Sequence, residues 1–139
     1  MSSFKIFDIA GSGMSAQSVR LNTVASNLAN ADSVSGDPAS VYRVKHPVFK
    51  AVLGSGLDSD PATATVEVSG ISESQAAPAA RYDPGNPLAD AQGYVYAPNV
   101  NVVEQMTDMI SASRSYQDNV EVLSTARDML LDTLKLGQS

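Results

Sequence analysis

Cysteine and tryptophan are both absent from the 139 residues. The first absence excludes disulfides and thiolate metal sites. The second, with aromatics at only 6%, excludes a core built on large rings. Basic charge is also short: nine Lys/Arg stand against 15 Asp/Glu, for a net charge of −6, and the nine form no run. Nucleic-acid binding needs a basic footprint that displaces counterions, so no nucleic-acid partner is expected. Direct binding to an anionic lipid surface is unfavourable for the same reason. No stretch approaches the roughly 20 apolar residues of a membrane span. The start, Met1-Ser2-Ser3-Phe4-Lys5, has no continuous apolar segment of the kind a secretory leader carries.

Catalytic equipment is equally sparse. The single histidine, His46, has no second histidine or acidic cluster near it in sequence, which leaves a metal-ligand or general-base role unsupported. Ala10-Gly11-Ser12-Gly13-Met14 lacks the lysine and the third glycine of a phosphate loop, and it lacks a preceding strand. Asp58, Asp60, Glu67 and Glu73 miss the fixed ligand spacing of a calcium loop. No enzyme activity, cofactor or metal is expected.

What the chain does have is helical periodicity at both ends. Phe7, Met14, Leu21 and Leu28 fall seven apart, and Ala10, Gln17, Val24 and Ala31 follow each by three. That spacing predicts an amphipathic helix from about residue 3 to residue 31 with a heptad seam. Gly11 and Gly13 weaken it by about 1 kcal/mol each relative to alanine. They predict either a kink or a close neighbour against the missing side chains. The chain then breaks at Ser26-Asn27-Leu28-Ala29-Asn30-Ala31-Asp32, where Ser26, Asn27 and Asn30 are candidate helix-terminating residues. At the other end Val102, Met109, Tyr116, Leu123 and Leu130 form one heptad row, and Met106, Ser113, Val120, Arg127 and Leu134 a second. Val103, Ile110 and Leu131 widen that stripe beyond what one partner helix can cover. Asn101 with Glu104 predicts an N-terminal capping box, and Gly137 a left-handed C-cap.

Between the helices the pattern changes. Residues 41–44, 48–53, 63–71 and 94–96 read as short strands, with an acidic loop over 54–61 and a proline-framed turn over 81–88. The fold class is therefore mainly α with a small β region: long terminal helices pairing as an antiparallel coiled-coil-like core, with a short antiparallel β element inserted. The expected division is 1–32, 33–98 and 99–139. Candidate subunit-interface residues are Phe7, Met14, Leu21, Val24 and Leu28 on the first helix. On the second they are Met106, Met109, Ile110, Tyr116, Val120, Leu123, Leu130 and Leu134.

Several stretches carry a resemblance. Phe4-Lys5-Ile6-Phe7-Asp8-Ile9-Ala10-Gly11-Ser12-Gly13-Met14 opens the chain, and Ser26-Asn27-Leu28-Ala29-Asn30 matches a Ser-x-Asn-Ile/Leu-Ala-Asn signature. Tyr82-Asp83-Pro84-Gly85-Asn86-Pro87-Leu88 and Asn99-Val100-Asn101-Val102-Val103-Glu104-Gln105-Met106 lead into the last helix. Together these resemble the flagellar basal-body rod proteins, nearly end to end and in particular the proximal rod members. The longer polar loop after Asp32 departs from the Thr-x-Gly-Tyr-Lys of many other axial proteins. The resemblance implies a structural subunit that polymerises through its terminal helices into a torque-transmitting shaft across the periplasm. It also implies type III export without a cleaved signal. Its implied partners are other rod proteins, the rod–MS-ring adaptor, neighbouring copies of itself and, during secretion, the flagellar export apparatus. Two other classes remain open on the residues alone. One is another type III-exported helical protein such as a needle or translocator component, which would lack the β residues. The other is a small periplasmic enzyme or ligand-binding domain, against which the missing catalytic constellation speaks.

Overall fold

The computed structural model describes residues 3–53 and 64–137. The element order is α1 (Ser3–Ala29), β1 (Lys45–Leu53), β2 (Ala64–Glu73), β3 (Ala79–Tyr82), β4 (Tyr94–Ala97) and α2 (Val102–Leu136). This is a mainly α architecture with two small antiparallel sheets, β1–β2 and β3–β4. The acidic loop expected over 54–61, with Asp58 and Asp60, lies outside the described residues.

α1 runs unbroken through both glycines. A Cβ on Gly11 would meet nothing within 4 Å, whereas one on Gly13 would stand 3.0 Å from the Asn119 side-chain oxygen. Only Gly13 therefore serves close approach, and its neighbour is a side chain of α2. α2 has 35 residues against 27 in α1. At about 1.5 Å per residue the two are roughly 52 and 40 Å long. Its start is capped by Asn101, whose side chain accepts from the Glu104 N–H at 3.3 Å. Its end departs from expectation. Gly137 keeps a right-handed φ of −77° and donates to the Thr133 carbonyl, so the helix ends on an ordinary α-type bond without a left-handed cap.

The two helices lie side by side in opposite directions. Gly13 meets Asn119, Arg20 meets Asp108 and Asn27 meets Gln105, so rising numbers on α1 face falling numbers on α2. The seam corrects the expected rows. On α2 the buried residues are Gln105, Ala112 and Ala126, with Asn119 half-buried in the same heptad row. Of the two expected rows, Met109, Leu123 and Leu130 are half-buried beside this line, while Met106, Val120 and Leu134 are exposed. On α1 the buried residues are Ala10, Ala16, Thr23, Val24 and Asn27, while Phe7, Met14, Leu21 and Leu28 are half-buried. Large side chains hold helix axes apart. Small ones let the backbones approach, so the helices meet along their small and polar rows.

The strands also differ from expectation. Residues 41–44 do not form a strand, although Val41 and Val44 are buried. Pro47 lies within β1, opposite Ile71, on a strand with only one sheet neighbour. An edge strand tolerates the missing N–H. A register shift between Val48 and Phe49 leaves Ser69 unpaired, and its hydroxyl donates to the Val48 carbonyl at 3.1 Å. Both strands of this hairpin pack on α1, where the Ser12 hydroxyl accepts from the Val66 N–H at 3.1 Å. The second sheet is held by connecting chain. Ser35 and Tyr96 exchange two backbone hydrogen bonds of 2.9 and 2.8 Å, and Val95 in β4 is fully buried. Gly93, at φ +86°, makes the tight turn into β4 under the Tyr82 ring.

Candidate assembly interface

Where α1 ends, one side chain joins four parts of the chain. Asn27 is 1% exposed. Its amide donates to the Lys45 carbonyl at 2.9 Å and to the Gln105 side-chain oxygen at 2.8 Å. Its oxygen accepts from the Lys45 N–H at 3.0 Å and from the Tyr42 hydroxyl at 2.8 Å. An asparagine amide has two donors and two lone pairs, and here all four are used. Tyr42 in turn lies 3.1 Å from the Ser26 hydroxyl. Asn30 closes the helix: its side-chain amide donates at 2.8 Å to the Ser26 carbonyl, which also accepts the Asn30 backbone N–H at 3.2 Å. Ser26, Asn27 and Asn30 thus each satisfy a different polar group at the junction of α1, the segment before β1, β1 itself and the first turn of α2.

Further along the seam, Arg20 on α1 pairs with Asp108 on α2 at 2.7 Å, half-buried beside Gln105. Hydrophobic periodicity could not reveal Gln105, Asp108 or Asn119 as partners, because polar side chains are silent in such a pattern. The seven-residue spacing of Gln105, Ala112, Asn119 and Ala126 on α2 was the available signal for that row. The Gln17 side-chain oxygen is the exception in this seam, buried with no partner among the described residues.

The turn before β4 is ordered by Asp90. Its carboxylate accepts from the Tyr94 N–H at 2.8 Å, the Gln92 N–H at 2.9 Å and the Tyr96 hydroxyl at 3.3 Å. The Tyr94 bond foremost holds the Asp90 carboxyl below the usual aspartate value, against a smaller opposing effect of desolvation. Desolvation, reinforced by the Asp90 charge, pushes the Tyr96 phenol up. His46 sits exposed in β1. Among the described residues no group of three or more His, Cys, Asp and Glu could hold a metal ion.

The outer surface of α2 contrasts with its seam. Val103, Met106, Ile110, Val120, Met129, Leu131, Leu134 and Leu136 are all exposed, with Val103 at 73% and Ile110 at 57%. Tyr116 is exposed and Val24 buried, so the candidate residues divide between the two surfaces. From Leu131 to Gly137 every residue is exposed, and α2 carries Leu131, Leu134 and Leu136 there. An apolar groove of about 270 Å³ opens where Ile6 of α1 meets Val122, Ala126 and Met129 of α2. No helix among the described residues is long and apolar enough to cross a membrane. So much exposed apolar side chain on one helix is the mark of a surface that another chain covers.

Comparison with known proteins agrees with this. Residues 7–36 match the family described as flagella basal body rod protein, and residues 91–136 match the C-terminal family of the flagellar basal body rod FlgEFG proteins. The flagellar basal-body rod protein FlgC of Escherichia coli O157:H7 is 56% identical, over 99% of this chain and 100% of that protein. FlgC of Salmonella typhimurium is 55% identical over the same shares, and FlgC of Aquifex aeolicus 43% identical over 97% of each. A needle or translocator component is not favoured by these matches. The chain belongs to the flagellar basal-body rod protein FlgC family and is a structural subunit of the rod in the bacterial flagellar basal body, where it assembles with other rod proteins.

Proposed function

We propose that the subunit polymerises into the torque-transmitting axial shaft through its terminal helices, which pair as an antiparallel coiled-coil-like core. In this reading residues 1–32 and 99–139 form the polymerising part, and residues 33–98 a β-rich appendage. The observation that carries it is the division of α2 into two surfaces. Its small and polar row, Gln105, Ala112, Asn119 and Ala126, is spent on α1, while its large apolar side chains face outward. Those outward residues, with the half-buried Phe7, Met14, Leu21, Leu28, Met109, Leu123 and Leu130 at the margins of the pair, are the interface we assign to neighbouring subunits. Torque is then carried by many interlocked side chains spread along roughly 50 Å of helix rather than by any one bond.

The neighbours we assign are copies of this chain, other rod proteins and the adaptor that joins rod to MS ring. The export apparatus would handle the chain before assembly, without a cleaved signal. The acidic balance of the chain supports the exclusion of nucleic acid and lipid surface from this set. The test uses Leu134→Asp, at a position 62% exposed on the projecting end of α2. An isolated surface substitution changes stability by less than about 0.5 kcal/mol. The purified variant should therefore unfold like the parent chain, while cells whose only copy carries it fail to build rods and do not swim. Normal swimming would remove the outward face of α2 from the mechanism.

A further inference from the structure

A cleft of about 220 Å³ opens where α1, β1 and the first turns of α2 meet. Arg20 of α1, Lys45, Pro47 and Phe49 of β1, and Gln105 and Asp108 of α2 line it. Sites that take a cofactor or metabolite enclose about 300–1,000 Å³, so this one is sized for a single side chain.

One wall of the cleft carries donors with nothing to bond. The orientation of Asn27 is fixed, because its oxygen accepts from the Lys45 N–H, a group that can only donate. Its amide nitrogen therefore faces Gln105, and the Gln105 atom that meets it at 2.8 Å must be the oxygen. The Gln105 amide N–H groups are left over, with no acceptor among the described residues, although the residue is only 3% exposed. A buried donor left unmade is costly. That nitrogen is not sealed in, since among the described residues the Gln17 oxygen alone is both sealed and unpartnered. The cleft is the space that Gln105 lines. Arg20 is in a similar state. One of its nitrogens reaches Asp108 at 2.7 Å, and its remaining N–H groups have no acceptor among the described residues.

Charge agrees with the donors. With His46 neutral, the charged residues lining the cleft are Arg20, Lys45 and Asp108, which leaves one positive charge in excess. The Lys45 ammonium makes no ion pair among the described residues and stands 5.7 Å from the centre of the Tyr42 ring. Phe49, 40% exposed, and the half-buried Pro47 give the opposite wall an apolar surface against which methylenes can lie.

We propose that this cleft receives the carboxylate of an acidic side chain from an adjoining rod subunit, bonded by the Gln105 amide and the free edge of Arg20 and faced by Lys45. This rests on the reading of the chain as a polymerising rod subunit and names one contact by which a neighbour is held. A carboxylate is acceptor-only, so it satisfies the unused donors, and its bonds to charged donors are the stronger kind. The contact would fall on the side chain that bonds Asn27, so a seated neighbour is joined directly to the knot tying α1, β1 and α2. The charge match also rejects a neighbour that presents a cation there.

The test uses isolated basal bodies treated with a carbodiimide, which joins a lysine amine to a touching carboxylate without a spacer. Mass spectrometry of the digested rods should show Lys45 joined to an aspartate or glutamate of an adjoining subunit, and the peptide identifies that subunit. Lys45→Arg keeps the charge but cannot couple, and should give no such link. Gln105→Glu keeps an oxygen for the Asn27 amide but turns the two donors into a second acceptor. Placing like charges together should lower the yield of the Lys45 link about tenfold or more. Neutralising the identified acidic residue in the neighbour should restore rod building in cells that carry Gln105→Glu. If Gln105→Glu fails to fold, the unsubstituted rod decides alone. Rods that form normally while Lys45 stays uncoupled would overturn the proposal, and water then fills the cleft. So would coupling of Lys45 only within its own chain, for instance to Glu73 opposite it in the hairpin. Either result leaves the chain's place in the rod intact.

Discussion

Replacing Asn27 with alanine tests whether the junction at the end of α1 holds the two ends of the chain together. Four hydrogen bonds of 2.8–3.0 Å are lost at once. Tyr42 keeps Ser26 as a neighbour at 3.1 Å, so its hydroxyl is not abandoned. The Lys45 N–H and carbonyl and the Gln105 side-chain oxygen are left without their partner, and Gln105 is only 3% exposed. Three such groups at about 1–1.5 kcal/mol each predict a loss of roughly 3–4 kcal/mol. Against a total stability of about 5–15 kcal/mol this is a large fraction. It corresponds to a fall of roughly 10 °C in Tm for a domain of this size. Urea unfolding of the purified chain, followed by helix circular dichroism, measures it. Gln105→Ala and the double variant complete a cycle whose coupling should reach about 1 kcal/mol or more, since the two side chains share a bond. A loss below about 1 kcal/mol for Asn27→Ala, or additivity of the two changes, would refute the claim that this residue ties α1 to α2.

Gly11→Ala should stabilise the protein by about 0.5–1 kcal/mol, because the added Cβ meets nothing within 4 Å and the helix interior gains from losing glycine; a destabilised variant in the same unfolding assay would show that Gly11 has a packing role. The Asp90 carboxyl is held below its ordinary value, so it favours the folded turn at all pH above that value, near 3.8, and the contribution disappears as pH falls through the lower folded-state value. Amide resonances of Gln92 and Tyr94, followed by NMR as pH is lowered below 3.8, should shift together and should stay put in Asp90→Asn.

The local architecture was largely legible without coordinates. Two long amphipathic segments, a capping asparagine at 101, a break after Asn30 and β-branched alternation in the middle follow from rules that act over a few residues. The strand boundaries were less so. Val41 and Val44 are apolar and buried yet lie outside any sheet, because burial and ladder pairing are separate demands. Pro47 reads as a break but is tolerated on an edge. Gly137 reads as a left-handed cap, but a helix end in solvent can close on its own carbonyls.

The interface divides along the same line. Sequence by itself determined that each terminal segment forms a helix, that the second has more apolar surface than one partner can cover, and that Ser26, Asn27 and Asn30 mark where the first helix stops. Only the tertiary structure decided which row of each helix turns inward. Hydrophobic periodicity favours Met106, Val120 and Leu134 as core, but two helices in contact minimise their separation, and the small and polar row of Gln105, Ala112, Asn119 and Ala126 permits the closer approach. The partners of Asn27 are 15, 18 and 78 residues away. A side chain's chemistry announces four hydrogen bonds, but only the folded chain brings four atoms within reach of them.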